Sequence, residues 1–202
     1  MFNIPDTEKK IKARISSYRS SMRKEQKAHG FISDGAGKRY LLFWLYLACG
    51  ELTKFDEYVS WYEENFSDDI GEPGQKLCLA VGLHRLGKDR EAKKVLADLM
   101  LMNLYIIPQV LGDSYEDYDI WRFSNYSDSD YFDYFSEDML NLISEDDLAW
   151  LREQYESDVF QRMKEMHIEI YVQLKNVKDV DKRRGLLGKA YRIVDILEEE
   201  RN

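Results

Sequence analysis

Two short stretches of the chain have the composition of loops that bind phosphate or metal ions. Asp34-Gly-Ala-Gly-Lys-Arg joins glycines to basic residues, but it lacks the leading glycine and the Ser or Thr of a phosphate loop. The stretch at 128–138 has the acids of a calcium loop without the glycine that the sharp turn of such a loop needs. We therefore expect neither a nucleotide site nor a metal site, and no cofactor.

The histidines and cysteines form no catalytic pair in the sequence. His29, His84 and His167 are isolated from one another, and Cys49 and Cys78 form no CxxC motif. Cys78 and His84 are six positions apart, which places them on different sides of a helix. The sequence therefore names no catalytic residue, and we expect both thiols to be buried and reduced.

The most unusual stretch is 113–135, in which nine aromatic residues are interleaved with Asp and Glu. Tyr and Trp are favoured at protein interfaces, and the carboxylates would give such a surface a preference for basic partners. The residues that we expect to contact a partner are Tyr115, Tyr118, Trp121, Tyr126, Asp128, Asp130 and Tyr131. Two other interpretations stay open, namely a structural plug at the end of a helical stack and an active site.

Charge is distributed unevenly along the chain. Residues 1–39 carry ten basic and four acidic side chains, whereas 113–158 carry 15 acidic and two basic ones. The net charge of -9 argues against general nucleic-acid binding and favours a protein partner with a basic surface. Alternatively, the two oppositely charged stretches attract each other within one fold.

Composition and hydropathy indicate a helical, cytoplasmic protein. Only three Pro and 11 Gly occur among 202 residues, and 44% hydrophobic content is sufficient for a core. The N-terminus becomes charged before an apolar run of signal-peptide length develops. The longest apolar run, Tyr40–Cys49, has half of the roughly 20 residues that a membrane span needs. We therefore expect no membrane association.

Helical spacing of apolar residues dominates the chain and predicts an all-α fold. The predicted helices cover 6–28, 37–49, 53–66, 73–86, 89–102, a long helix from Ser144 through 174, and 179–200. We expect a single helical domain over 1–202. Its parts are a basic N-terminal helix and loop (1–35), two helix pairs (36–103), an irregular acidic and aromatic segment (104–143) and C-terminal helices (144–202).

The two helix pairs form an internal repeat, because Gly50 and Gly87 align at a spacing of 37 residues. The matching packing positions are Leu42, Tyr46, Gly50 and Val59 in one pair and Leu79, Ala80, Leu83, Gly87, Ala92 and Leu96 in the other. Over residues 36–103 this pattern resembles the tetratricopeptide repeat, although Phe55 stands where that family favours a small alanine. The resemblance implies antiparallel helix pairs whose core is completed by the flanking helices.

The resemblance also implies a binding groove along the first helix of each pair. The positions that carry over are Tyr40, Trp44 and Leu47 in one pair and Leu77, Val81 and His84 in the other. Most of them are apolar, so a clamp for a peptide carboxylate is not implied. Such a groove must be covered, either by a partner or by the chain's own helix at 145–174.

These observations predict a non-catalytic scaffold of the helical-repeat type that binds another protein. One alternative is an acidic cytosolic inhibitor, similar in character to the immunity proteins that neutralise bacterial toxins by occluding a basic cleft. Another is an enzyme with an all-α active site near the acidic and aromatic segment. No small-molecule ligand is implied by any of these residues.

Overall fold

The part of the chain that the structure describes is mostly helical, with an irregular stretch between Gly112 and Ser124. A computed structural model describes residues 2–199, which form eleven α-helices, three 3₁₀ turns and no strand, and this confirms the predicted all-α class. Among these residues no helix is both long and apolar enough to cross a membrane. The helices are α1 (Glu8–His29), α2 (Lys38–Ala48), α3 (Leu52–Asn65), α4 (Pro73–Arg85), α5 (Asp89–Met102), α6 (Ile106–Val110), α7 (Glu137–Leu140), α8 (Glu145–Glu156), α9 (Asp158–Asn176), α10 (Val180–Tyr191) and α11 (Ile196–Glu199).

The chain divides into two compact units. The first contains the residues up to Ala92 and Tyr134–Ile143, and the second contains Lys93–Asp133 and the chain from Ser144 onward. In the first unit, α2 packs against α1, α3 and α4, and α3 also packs against α4. In the second unit, α9 packs against α8, α10 and α11, and α6 packs against α8.

Gly50 and Gly87 follow α2 and α4 in the same conformation. Their φ angles are 67° and 71°, in the left-handed region that glycine enters without steric cost. The N–H of Gly50 donates to the carbonyl of Leu47, and that of Gly87 donates to the carbonyl of His84, three residues back in each case. The alignment of Gly50 with Gly87 that the sequence predicts therefore matches two turns with the same backbone conformation.

Phe55 of α3 packs directly onto the backbone of α4 at Gly82. A Cβ placed on Gly82 would lie 2.2 Å from Cζ of the Phe55 ring, well inside van der Waals contact. Both residues are buried. The missing side chain at Gly82 therefore makes room for the large ring at position 55, where the repeat pattern favours a small residue.

Aromatic rings fill the space between α2 and α3. Phe43 meets the rings of Phe55, Tyr58 and Tyr62 edge to face, with centroids 5.0 to 5.9 Å apart. Each such pair contributes about 0.5–1.5 kcal/mol beyond the burial of its area. The hydroxyl of Tyr58 also donates to the backbone carbonyl of Arg39 at 2.7 Å, which fixes the Tyr58 side chain against α2.

The long C-terminal helix predicted from Ser144 through 174 is interrupted once. α8 ends and α9 begins on either side of Ser157, whose φ of -64° and ψ of 148° are extended. The Ser157 hydroxyl donates to the carbonyl of Gln154 at 2.6 Å, and such local bonds compete with the helical ladder. The expectation of one continuous helix is wrong at this residue.

The start of α8 follows the prediction closely. The Ser144 side chain accepts a hydrogen bond from the N–H of Asp147, and the Asp147 carboxylate accepts one from the N–H of Ser144 at 2.8 Å. This reciprocal arrangement is a capping box. It explains why the serine followed by three acids marks a helix N-terminus.

Burial along α8 and α9 differs in part from the predicted apolar stripe. Leu151, Met163, Ile170 and Leu174 are buried as expected. The half-buried members of the stripe are Leu148, Tyr155, Val159 and Met166. The half-buried positions lie on both sides of the break at Ser157, so the stripe predicted from the spacing is only partly buried.

Short helical elements occupy part of the segment at 104–143 that was predicted to be irregular. These are α6, α7 and 3₁₀ turns at Asn125–Ser127 and Ser129–Tyr134. Elements of this length are too short to show a 3.6-residue period in the sequence. The helix predicted over 179–200 is divided into α10, a 3₁₀ turn at Ile193–Asp195 and α11, and residue 200 lies outside the described residues.

The contact between Phe55 and Gly82 yields a test of the packing. Gly82→Ala should lower the free energy of unfolding by about 1–3 kcal/mol, because the added methyl overpacks the Phe55 ring. Gly185 lies inside α10 with nothing within 4 Å of its added Cβ, so Gly185→Ala should stabilise by up to about 1 kcal/mol through helix propensity. Urea unfolding measures both variants, and equal effects at the two glycines would contradict the packing assignment.

Leu148 and Leu151 provide a second, matched test. Leu151 is fully buried and Leu148, one turn earlier on α8, is half-buried. Leu151→Ala should cost about 2–5 kcal/mol of unfolding free energy, and Leu148→Ala should cost less. Thermal or urea denaturation measures both, and a loss below about 0.5 kcal/mol at Leu151 would place its side chain at the surface.

Candidate functional site

The glycine-containing stretch at 34–39 leads into α2, and the anion at the start of this helix comes from the chain itself. The Asp34 carboxylate accepts hydrogen bonds from the N–H groups of Lys38 at 3.0 Å and Arg39 at 2.7 Å. A phosphate bound at this N-terminus would need these same donors. The N–H groups that a phosphate would need are therefore already bonded to Asp34, which is consistent with a sequence that lacks the phosphate-loop motif.

The acids at 128–138 do not form a calcium loop. Their backbone forms a 3₁₀ turn followed by α7. Asp128 lies 3.5 Å from Nη1 of Arg122, and Asp130 accepts a hydrogen bond from the Ser129 hydroxyl at 3.3 Å. Between residues 2 and 199, no three His, Cys, Asp or Glu side chains are grouped so that they could hold a metal ion.

Both cysteines are in environments that keep the thiol protonated. Cys78 is buried as expected, whereas Cys49 is only half-buried, so the expectation of two buried thiols is wrong for Cys49. Burial raises the pKa of Cys78 well above its ordinary value, and partial burial also raises the pKa of Cys49. The thiolate is the nucleophilic form of cysteine, so these shifts oppose reactivity. His84, which follows Cys78 on α4, has Nδ1 3.2 Å from a carboxylate oxygen of Asp89.

His167 is a buried, neutral imidazole. Its ring stacks on Tyr171 with centroids 3.9 Å apart, and the residue is only 5% exposed. Burial lowers the pKa of His167 to about 4, because the charged form is separated from water. The side chain therefore belongs to the core of the second unit.

The acidic and aromatic segment is attached to the end of α5 through Asn103. The buried Asn103 amide donates to the carbonyls of Tyr126 at 2.7 Å and Asp128 at 2.9 Å. Its side-chain oxygen accepts from the N–H groups of Tyr105 and Ile106. One side chain therefore satisfies four backbone groups and fixes the course of the segment.

Several acids of the segment form ion pairs within the second unit. Arg152 donates to both carboxylate oxygens of Asp113, at 2.9 and 3.0 Å. Arg122 pairs with Asp117, and Lys175 pairs with Asp119. Part of the negative charge that was expected to attract a basic partner is therefore neutralised by ion pairs within the unit.

Trp121 is half-buried and its ring contacts two side chains of its own unit. It stacks on Tyr171 with centroids 5.9 Å apart, and the guanidinium carbon of Arg183 lies 4.3 Å from the Trp121 ring centroid. The backbone N–H of Trp121 donates to the backbone carbonyl of Tyr171 at 3.1 Å. Tyr118 is half-buried and stacks on Tyr105 at 6.3 Å. Both side chains thus have structural contacts.

Other residues of the predicted contact set differ in exposure. Tyr131 is buried, and its ring meets that of the half-buried Tyr126 edge to face at 5.7 Å. Tyr115 is 44% exposed although its ring lies 5.4 Å from that of Tyr105, and Phe123 is also 44% exposed. In the part of the segment that belongs to the second unit, 113–133, the exposed aromatic surface is therefore carried by Tyr115 and by Phe123, which the predicted contact set did not include. Tyr134 is 67% exposed but belongs to the first unit.

The residues of the predicted groove are almost all buried. Tyr40, Trp44, Leu47, Leu77 and Val81 are at most 8% exposed, and His84 is half-buried. The ring of Phe135 meets Trp44 edge to face at 6.1 Å, and Arg85 of α4 donates to the carbonyl of Leu142 at 2.6 Å. Segment 134–143, which is part of the first unit, thus packs against α2 and α4, and these apolar residues are not exposed in an open groove.

Three residues that organise the segment were missed at the sequence level. Asn103, Arg152 and Arg183 lie outside 113–135, and each one contacts it. Asn103 interrupts an apolar run, which is a usable sequence signal for a buried polar residue with a structural role. Arg152 and Arg183 give no such signal, because charged residues on helices are common.

No family model, curated protein or solved structure matches the chain. Function is therefore inferred from the described side chains. Their geometry defines an all-α protein with an ordered acidic and aromatic surface in its second unit.

The buried imidazole gives a pH test. An unfolded His167 binds a proton near its ordinary pKa of 6.5, whereas the folded form binds one only near 4. As the pH falls from about 6.5 to about 4, unfolding takes up a proton, and this linkage removes about 3 kcal/mol of stability. The dependence of the unfolding free energy on pH should lose this contribution in His167→Gln. The variant His29→Gln, at an exposed histidine, should retain it. Urea midpoints measured between pH 7 and pH 4 decide, and identical slopes in all three proteins would refute the assignment.

Proposed function

We propose that this protein is a non-catalytic binding module of the helical-repeat type that docks a basic partner protein. The observation that carries the proposal is the combination of order and exposure at 113–133. The segment is tied to its unit by Asn103, Arg152 and Arg183, while Tyr115 and Phe123 remain exposed. Side chains that are already ordered lose less entropy on binding.

The exposed aromatics would supply the contact area. Tyr115 lies against Tyr105, and Phe123 lies against Trp121 and Tyr171 with centroids 6.3 and 6.4 Å away. Each exposed ring is thus in contact with at least one neighbouring ring of its own unit, in a tilted arrangement. Supported aromatic side chains are typical of residues that contribute most to binding free energy.

The acids of the same surface would supply attraction for basic groups. Glu116 and Asp130 are exposed and form no ion pair with any described residue. The stretch at 113–158 has 15 acidic and two basic side chains, so its field stays negative after internal pairing. Such a field accelerates the association of a basic partner.

The two cysteines and His167 are poorly suited to nucleophilic or acid–base chemistry. Burial holds Cys49 and Cys78 as thiols and His167 as a neutral imidazole. A general acid, general base or nucleophile needs a pKa shifted toward its task and access to substrate. A partner whose basic surface is a catalytic cleft would make the protein an inhibitor of the immunity type.

Binding kinetics test the proposal once a partner has been captured with the full chain and identified. Tyr115→Ala and Phe123→Ala should mainly accelerate dissociation, each weakening binding by about 2 kcal/mol. Glu116→Gln should mainly slow association, and raising the salt concentration should reduce the wild-type association rate. Surface plasmon resonance at two salt concentrations measures all of these rates.

Tyr191 provides the matched control, because it is 80% exposed on α10 and lies outside the segment. Tyr191→Ala should bind as wild type does. Trp121→Ala should reduce stability, because it removes the stacking with Tyr171 and Arg183. If Tyr115→Ala and Phe123→Ala bind like Tyr191→Ala, the segment is a structural element and the proposed docking surface is wrong.

A further inference from the structure

A second candidate site lies in the first unit, in an open cleft between the loop after α1 and the loop after α3. Its volume is about 320 Å³. The lining consists of Ile32 and Ser33 from the first loop, Asn65 at the end of α3, residues 66–69 from the second loop, and Arg39 from α2. We refer to it as the Asp68 cleft, and it shares no residue with the segment at 113–133.

The two walls of the Asp68 cleft are held by Arg39. Its Nε donates to Asp69 at 2.6 Å, and its Nη1 donates to the carbonyl of Asp34 at 3.3 Å. The Tyr40 hydroxyl, which accepts from Arg39, donates to Asp69 at 2.8 Å. Burial would raise the pKa of Asp69, but hydrogen bonds from Tyr40, Gly71 and Arg39 outweigh burial and lower it. The cleft is thus already formed in the free protein.

The charge around the cleft is left negative by this arrangement. Residues 63–72 contain five acids and no basic residue. Arg39 is already engaged by Asp34 and Asp69. Glu63, Glu64 and Asp68 are exposed and form no ion pair with the residues that the structure describes. A cation is therefore the complementary ligand, and phosphate or another anion is disfavoured.

Two exposed apolar residues are adjacent in the sequence to residues that line the cleft. Phe31 immediately precedes the lining residue Ile32, and Ile70 immediately follows Asp69. Phe31 and Ile70 are 62% and 65% exposed, which is high for large apolar residues. An exposed apolar surface beside a carboxylate suits side chains that have an aliphatic stem and a charged tip.

We propose that the Asp68 cleft binds a lysine or arginine side chain of another protein. The aliphatic part of that lysine or arginine side chain packs against Ile32 and Phe66 in the lining, and its charged group pairs with the Asp68 carboxylate. A bare metal ion fits less well, because no three ligating side chains converge there or elsewhere in the described chain. The site is separate from the surface at 113–133 and does not depend on it.

Titration with short peptides tests the site directly. The probe is the tripeptide acetyl-Gly-Arg-Gly-amide, and the control is the same peptide with citrulline, which keeps the shape of arginine without its charge. We expect the arginine peptide to shift the amide NMR signals of Ser33, Asn65 and Ser67 with a dissociation constant in the millimolar range. The citrulline peptide should leave these signals unchanged.

Two variants complete the experiment. Asp68→Asn should weaken binding of the arginine peptide by about threefold, as expected for one exposed ion pair. Glu57→Gln removes an exposed acid of α3 about two turns before the cleft and should bind as wild type does. Amide signals away from the cleft report whether each variant is folded. Equal shifts with citrulline, unchanged binding in Asp68→Asn, or an equal loss in both variants would overturn the proposal.

Discussion

The contact of the Phe55 ring with the backbone of Gly82 is the constraint on which the first unit depends. It lets α3 and α4 approach closely enough that no side chain fits at position 82. Phe55 also meets Phe43, which joins the contact to the rings between α2 and α3. The large ring at position 55, where the repeat pattern favours a small residue, is thus accommodated by the absence of a side chain at Gly82. Close packing explains why a large residue at one position requires a small one opposite it.

The second unit is organised by polar rather than aromatic constraints. Asn103 satisfies backbone groups of the segment that follows, and Arg152 and Arg183 hold it from α8 and α10. The pairs Arg152–Asp113, Arg122–Asp117 and Lys175–Asp119 also neutralise some of the acids that could otherwise attract a partner. They also place Tyr115 and Phe123 at the surface of an ordered backbone. The same pairs that stabilise the segment would therefore prepare it for binding.

Much of the fold could be predicted from the sequence. The five helices from α1 to α5 lie within two residues of their predicted bounds, because apolar spacing, glycines after helices and acidic first turns are local signals. The break at Ser157 was missed, because the apolar spacing continues through it while a side-chain hydrogen bond ends the helix. The candidate site was located as a segment, but its exposed residues were not separated from its packed ones. Trp121 and Tyr115 have the same aromatic character in the sequence and opposite roles in the structure.

What the sequence determined by itself is the all-α class, the bounds of α1 to α5, the equivalent turns at Gly50 and Gly87 and the charge of each segment, since these depend on neighbours in the chain. Only the tertiary structure decided which side chains face solvent. Trp44 is buried beside Phe135 across a separation of many residues, and Phe31 and Ile70 are exposed near a shared cleft. The reason is physical: local conformation follows from short-range hydrogen bonding and sterics, whereas burial depends on which distant segments pack together.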